Sequence, residues 1–209
     1  MTRVGVLALQ GAFIEHINIL RRLGMDAVEV RLPKELASLD GLIIPGGEST
    51  TIGKLAIQYG LIEPIRAMAR DGKPIWGTCA GMILLARNIG GGGHPPLSLM
   101  DITVRRNAFG RQVGSFEVYL DVPALDAVSE PDEKGRAFHS IFIRAPLIQT
   151  VGPDVKVLAR LRDGTIVAAQ QEGLLVTSFH PELAADSRFH RYFLSLVPAV
   201  GDRSKEFLN

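Results

Sequence analysis

The sequence predicts an α/β fold of the doubly wound kind, a mixed, mostly parallel sheet flanked by helices, with an antiparallel, β-rich second half. Three observations predict it. Apolar runs of strand length alternate with longer helical patterns as far as residue 89, glycine turns close two of those runs, and β-rich runs separated by turn residues take over from about residue 100. Strands that alternate with helices imply right-handed crossovers and a parallel sheet buried on both faces.

"RVGVLAL" (3–9) reads as a buried strand, "FIEHINILRRLG" (13–24) as an amphipathic helix closed by glycine, and "DAVEVRL" (26–32) as a second strand. "DGLIIPGG" (40–47) is a third strand ending in a glycine turn, and helical patterns cover much of 49–70. "KPIWGTC" (73–79) is the fourth strand, with a helix expected over 80–89. Beyond it, "MDITVRRNAF", "GSFEVYLDV", "AFHSIFIRAP", "VKVLARL", "TIVAAQQ" and "GLLVTSFHPE" read as β-rich runs forming antiparallel hairpins and an extension of the sheet. "SRFHRYFLSLV" (187–197) is a closing helix. Residues 1–198 are expected to form a single domain, and 199–209 a polar tail. The glycine run at 90–96 is a loop too short to separate domains.

Composition narrows the function. The chain has 209 residues, 46% of them hydrophobic, enough for one substantial core. Lys and Arg number 23 against 22 Asp and Glu, so no overall field draws nucleic acid or an acidic membrane surface, and neither is expected as a partner. No apolar run approaches the ~20 residues that span a bilayer. The N-terminus lacks a convincing signal-peptide pattern, and a lone cysteine cannot form an intramolecular disulfide; a cytoplasmic location follows as the expectation.

That cysteine, Cys79, lies in "PIWGTCAGMILLA" (74–86), where a strand turns at once into a helix. In an open α/β sheet ligands gather at the carboxyl ends of the strands, where both "PGGES" (45–49) and "GTCAGM" (77–82) fall. A tight turn there lifts the thiol above the sheet beside the free N–H groups of a helix start, which favour its thiolate. The N–H after a nucleophile, that of Ala80, points to where negative charge develops, and the glycine turn at Gly47 offers a second oxyanion donor. The alternative is a small buried hydrophobe, the commonest fate of an unpaired cysteine. A base is available in "SFHPE" (178–182): residues two apart in an extended segment point the same way, so His180 and Glu182 can pair, the carboxylate fixing the imidazole tautomer. Strand, elbow, cysteine and a later His-x-Glu together read as a Cys-His-Glu acyl-transfer enzyme.

"PGGES", "GTCAGM" and "SFHPE" resemble the three motifs of the class I, triad-type glutamine amidotransferases, whose fold is flavodoxin-like. "LALQGAFIEH", "PGGESTTIGKL", "MDITVRRNAFGRQVGSFE", "FIRAP" and "HPEL" are similar to the glutaminase subunits of two-protein pyridoxal 5′-phosphate synthases, over most of residues 4–194. The resemblance implies Cys79 as nucleophile, His180 as general base and then acid, Glu182 as the residue orienting it, and Gly47 and Ala80 as oxyanion donors. It implies L-glutamine bound by Gly47, Glu48, Ser49, Arg106, Ile143 and Arg144, with no cofactor and no metal. It also implies a (β/α)8-barrel synthase subunit as partner, docking near residues 13–24, with Gln10 and Gly11 near the oxyanion loop. Arg105 stands where the resembled strings carry an acidic residue.

Other residues are read as structural. His139 is expected to be structural, His190 an ordinary surface or packing residue, His94 solvent-exposed, and Phe13, Ile17 and Leu20 core rather than a partner-binding stripe. Two further functional classes compete: another amidotransferase subunit or cysteine hydrolase on the same scaffold, and a non-catalytic assembly subunit.

Overall fold

A computed structural model describes residues 1–92, 95–106 and 114–198. Its first strands are short and apolar because both faces of the sheet are covered. β1 (Arg3–Leu7), β2 (Asp26–Val30), β3 (Gly41–Ile44) and β4 (Ile75–Thr78) pair in parallel in the order β2-β1-β3-β4. Alternate residues serve opposite faces: Leu42 and Ile44 join one core with Ile75, and Ile43 joins the other with Trp76.

Helices α2 (Ser49–Gln58), α3 (Ile62–Arg70) and α4 (Ala80–Leu85) cover the first face, through Ile52, Ala56, Ile65, Met68 and Leu84. The second face carries α1 (Phe13–Arg22), whose Ile17 and Leu20 are fully buried, and α5 (Arg188–Ser195), whose Phe189 and Phe193 pack against Trp76. Phe13 is half-buried, with the Arg31 guanidinium 5.5 Å above its ring.

The second half is mostly antiparallel, as its turn-punctuated runs predict. β12 (Leu174–Thr177) lies parallel to β4, and beyond it run β11 (Ile166–Gln171), β9 (Leu147–Val151) and β6 (Met100–Arg105), each antiparallel to the strand before it. β10 (Lys156–Arg160) pairs with β11, while β7 (Ser115–Leu120) and β8 (Phe138–Ile143) form a separate hairpin over the second core.

β9 lies between the runs read as strands, the first strands are shorter than their runs, and one helix boundary differs further. The helix expected over 80–89 ends at Leu85, because Ala86–Ile89 forms a strand, β5, parallel to β6 at the sheet edge. The local pattern "ARNI" does not reveal a partner that follows eleven residues later. His94 and the tail at 199–209 lie outside the described residues.

The contact between α4 and the sheet is close. A Cβ on Gly81 would stand 2.0 Å from the Ile44 carbonyl oxygen, a backbone atom that cannot swing aside. Gly81→Ala is therefore expected to cost about 3 kcal/mol, a fall in Tm of roughly 6–12 °C for a chain of this size. A thermal melt showing no change would mean that the turn above β4 is not seated on β3.

Candidate active site

The parallel register of β4 and β12 sets Thr78 opposite Thr177, so the residues that follow each strand emerge at one end of the sheet. Those residues are Cys79 and the 178–182 segment, a hundred positions apart in sequence. Cys79 has φ 47° and ψ −101°, a left-handed backbone rare for a residue with a Cβ, and its N–H donates to the Thr177 carbonyl at 2.8 Å. The β12 end thus holds the elbow in its strained form. Its side chain is 7% exposed, open to a cleft of about 500 Å³.

His180 is fixed from the other side. Its N–H donates to the Ile141 carbonyl of β8 at 2.9 Å, and Nδ1 lies 2.6 Å from Glu182 Oε1. The segment is not extended: Pro181–Leu183 forms a turn of 3-10 helix, closed by the Leu183 N–H on the His180 carbonyl. The two side chains meet because the turn folds Glu182 beneath the ring, not through the two-residue alternation of a strand. Cys79 acts on the ring as well, and with Nδ1 engaged by Glu182 it is Nε2 that is left for the sulfur. Burial disfavours the charged ring, but the hydrogen bonds to Cys79 and Glu182 and their negative fields outweigh it, and His180 is pushed up to about 10. Glu182 shows the same competition: burial favours its neutral form, yet His16 and His180 hold it well below the usual carboxylate range.

Gly47, Glu48 and Ser49 line the cleft together with Cys79, Ala80 and His180. Arg106, Ile143 and Arg144 line it as well. Every residue implied by the resemblance faces this space except Glu182, which stands behind His180. Glu48 does so with its carboxylate already engaged: it caps α2, accepting the Thr50 and Thr51 N–H groups at 2.9 and 2.7 Å and the Thr51 hydroxyl at 2.6 Å. These bonds, that of the Thr51 hydroxyl first, pull it down to about 2. Arg144 holds φ 44°, with its N–H on the Gly114 carbonyl. Arg105 belongs elsewhere, to a second depression with Gln149 and Arg160, so of these two neighbours it is Arg106 that lines the cleft.

Gln10 and Gly11 also line the cleft. Gln10 Oε1 accepts the Glu48 N–H at 2.7 Å, and the Gly46 carbonyl accepts the Ala12 N–H at 3.1 Å, so the start of α1 holds the glycine turn in place. Gly46 has no room for a side chain: a Cβ there would stand 2.3 Å from His180 Cε1.

Four residues of this region had no assigned part in the sequence reading. Ile83 and Pro146 supply apolar wall, and a buried Ile carries no signal of a site. His16 lies 3.3 Å from Glu182 Oε2; its signal is a titratable residue on the apolar face of α1, one position before Ile17. His190 is wholly buried against Trp76 and His16, a correction to its reading as a surface residue though not as a packing one. His139 pairs with Glu117 at 2.7 Å on the hairpin, away from the cleft.

A cysteine elbow facing a His–Glu pair, above the carboxyl ends of a doubly wound sheet, fits a cysteine acyl-transfer enzyme, and the family match narrows the class to a glutamine amidotransferase. The chain belongs to the SNO glutamine amidotransferase family, whose model matches residues 6–198. It is 60% identical over 197 residues to a protein of Dehalococcoides mccartyi named pyridoxal 5′-phosphate synthase subunit PdxT, covering 93% of this chain and 97% of that one. A protein of the same name from Herpetosiphon aurantiacus is 59% identical over 196 residues, covering 92% and 99%. Among solved structures, one described as a glutamine amidotransferase superposes with a TM-score of 0.84 at 49% identity, covering 93% of this chain and 98% of the other. PurLQS from Thermotoga maritima, at 19% identity and a TM-score of 0.69 over 94% of this chain and 99% of that one, shares the fold. Among the described residues no helix is long and apolar enough to cross a membrane.

Proposed function

We propose that this chain is the glutaminase subunit of a pyridoxal 5′-phosphate synthase and hydrolyses L-glutamine to L-glutamate and ammonia through Cys79, His180 and Glu182. The observation that carries the proposal is the buried His180–Glu182 pair, 2.6 Å apart, turned toward the Cys79 elbow in an open cleft. The Cys79 sulfur, its proton passed to His180, attacks the side-chain carbonyl carbon of glutamine. The Gly47 and Ala80 N–H groups receive the negative oxygen. Collapse breaks the C–N bond, and His180 gives its proton to the departing ammonia. Water, activated by the now neutral imidazole, hydrolyses the γ-glutamyl thioester and frees the thiol.

In this reading the cleft wall orients the substrate. Arg106 or Arg144 pairs with the α-carboxylate, and the main chain of the Gly47–Ser49 turn and of Ile143 receives the rest of glutamine. The Glu48 carboxylate, engaged in capping α2, fixes that turn.

Ammonia released to water would protonate and diffuse away, so it must pass to an acceptor site on another polypeptide. The proposed acceptor is the (β/α)8-barrel synthase subunit, docked near α1, in a cytoplasmic complex in which residues 1–198 act as one domain. Because the Ala12 N–H holds the Gly46 carbonyl, the aim of the Gly46–Gly47 peptide depends on the start of α1, and docking there resets it. Glutaminase turnover is therefore expected to rise at least about tenfold when a synthase subunit is added, with faster covalent trapping of Cys79 by a glutamine-like electrophile. Full turnover by the isolated chain would remove the partner-dependence, and neither turnover nor trapping with the partner present would remove the glutaminase reading itself.

A further inference from the structure

Two buried imidazoles stand behind Glu182, and the reaction above makes no use of them. His16 comes from α1 and His190 from α5, and both are fully buried. His16 Nε2 lies 3.3 Å from Glu182 Oε2, and His16 Nδ1 lies 2.9 Å from His190 Nε2. Among the described residues no group of three His, Cys, Asp or Glu is placed to hold a metal ion. These rings must therefore be read as a hydrogen-bonded chain.

One nitrogen fixes where the protons lie. Among the described residues, buried His190 Nδ1 has no hydrogen-bond partner. A buried N–H without an acceptor costs more than a bare lone pair, so Nδ1 is the unprotonated nitrogen and Nε2 carries the hydrogen. Burial, chiefly, holds His190 well below its ordinary value, in keeping with a neutral ring. Its Nε2–H then donates to His16 Nδ1. That leaves the His16 proton on Nε2, facing Glu182 Oε2. His16 Nε2 approaches Oε2 at 3.3 Å without good hydrogen-bond alignment, and among the described residues Oε2 is buried with no aligned donor.

We infer that His16 is a positioning residue of this active site: His190 fixes its tautomer, its Nε2–H holds Glu182 Oε2, and Glu182 in turn holds His180 toward Cys79. The inference rests on the catalytic roles proposed above. The groups facing His16 are Glu182, His190, the Thr78 hydroxyl at 3.5 Å from Nε2, and the Trp76 ring edge; the charge of Arg22 acts on His190. A Glu182 deprived of the His16 N–H holds a proton more tightly, so activity should fail at higher pH as the medium is acidified.

The test is the pH profile of glutamine hydrolysis, with a synthase subunit present, for His16→Gln, His16→Asn and His16→Leu, with Cys79→Ala as control. Gln carries an amide near the position of Nε2, whereas Asn reaches only that of Nδ1. His16→Gln is expected to stay within about threefold of the parent, while His16→Asn and His16→Leu lose about ten- to thirtyfold in kcat with KM little changed. In these two the acid limb should move up by about one pH unit. An unmoved acid limb with parental kcat in His16→Asn would overturn the inference, as would equal losses in all three variants, which describe packing alone. Should His16→Leu fail to fold, the Gln–Asn comparison decides. If Cys79→Ala keeps hydrolysing glutamine, the proposed chemistry fails; if it is inactive while the His16 variants match the parent, only the positioning role fails.

Discussion

Cys79→Ala is expected to lower glutamine hydrolysis by the assembled enzyme at least about 10⁴-fold while leaving partner binding intact. In the proposed mechanism the sulfur is the atom that forms the thioester, and no other cysteine exists in the chain to replace it. The Gly47 and Ala80 N–H groups survive the change, but they stabilise charge only after a nucleophile has attacked. The fold should barely respond. Alanine at φ 47° is as strained as cysteine, and losing one mostly buried sulfur costs about 1 kcal/mol, a Tm change of roughly 2–4 °C. Glutamate production within tenfold of the parent would show that another group attacks the amide.

Glu182→Gln keeps the shape beneath His180 and removes the charge. A neutral amide neither fixes the Nδ1–H tautomer as firmly nor balances the imidazolium, and kcat is expected to fall about 10³-fold. Stability should change with pH in a defined direction. His180 is raised from 6.5 to about 10 in the folded protein, so its contribution is complete below about pH 6.5 and is lost as pH climbs toward 10. Glu182 is lowered from 4.5, so its contribution is present above that value and is lost as pH falls below it. The Tm advantage of the parent over Glu182→Gln should thus peak between about pH 4.5 and 6.5 and shrink on either side. Melts giving the same difference from pH 5 to pH 10 would mean that the pair is not coupled as described.

Much of this was readable because the first half of the chain is locally consistent. The runs around β1, β3 and β4 are apolar on both faces, and helical patterns separate them, so fold class and strand ends followed from pattern alone. Cys79, His180 and Glu182 were legible as residue types at strand ends. Their geometry was legible only in part, since the His180–Glu182 contact arises from a 3-10 turn that a two-residue spacing does not distinguish from an extended segment. β5 was hidden because β6, its partner among the described residues, is non-local.

The sequence by itself determined the doubly wound order of strands and helices and the turn that carries Cys79, because periodicity and turn chemistry act within a few residues. Tertiary structure alone decided that the ends of β4 and β12 meet, that Arg106 rather than Arg105 enters the cleft, and that His16 and His190 stand buried behind Glu182. Those outcomes depend on strand register and on packing between helices far apart in the chain, which no local window of residues contains.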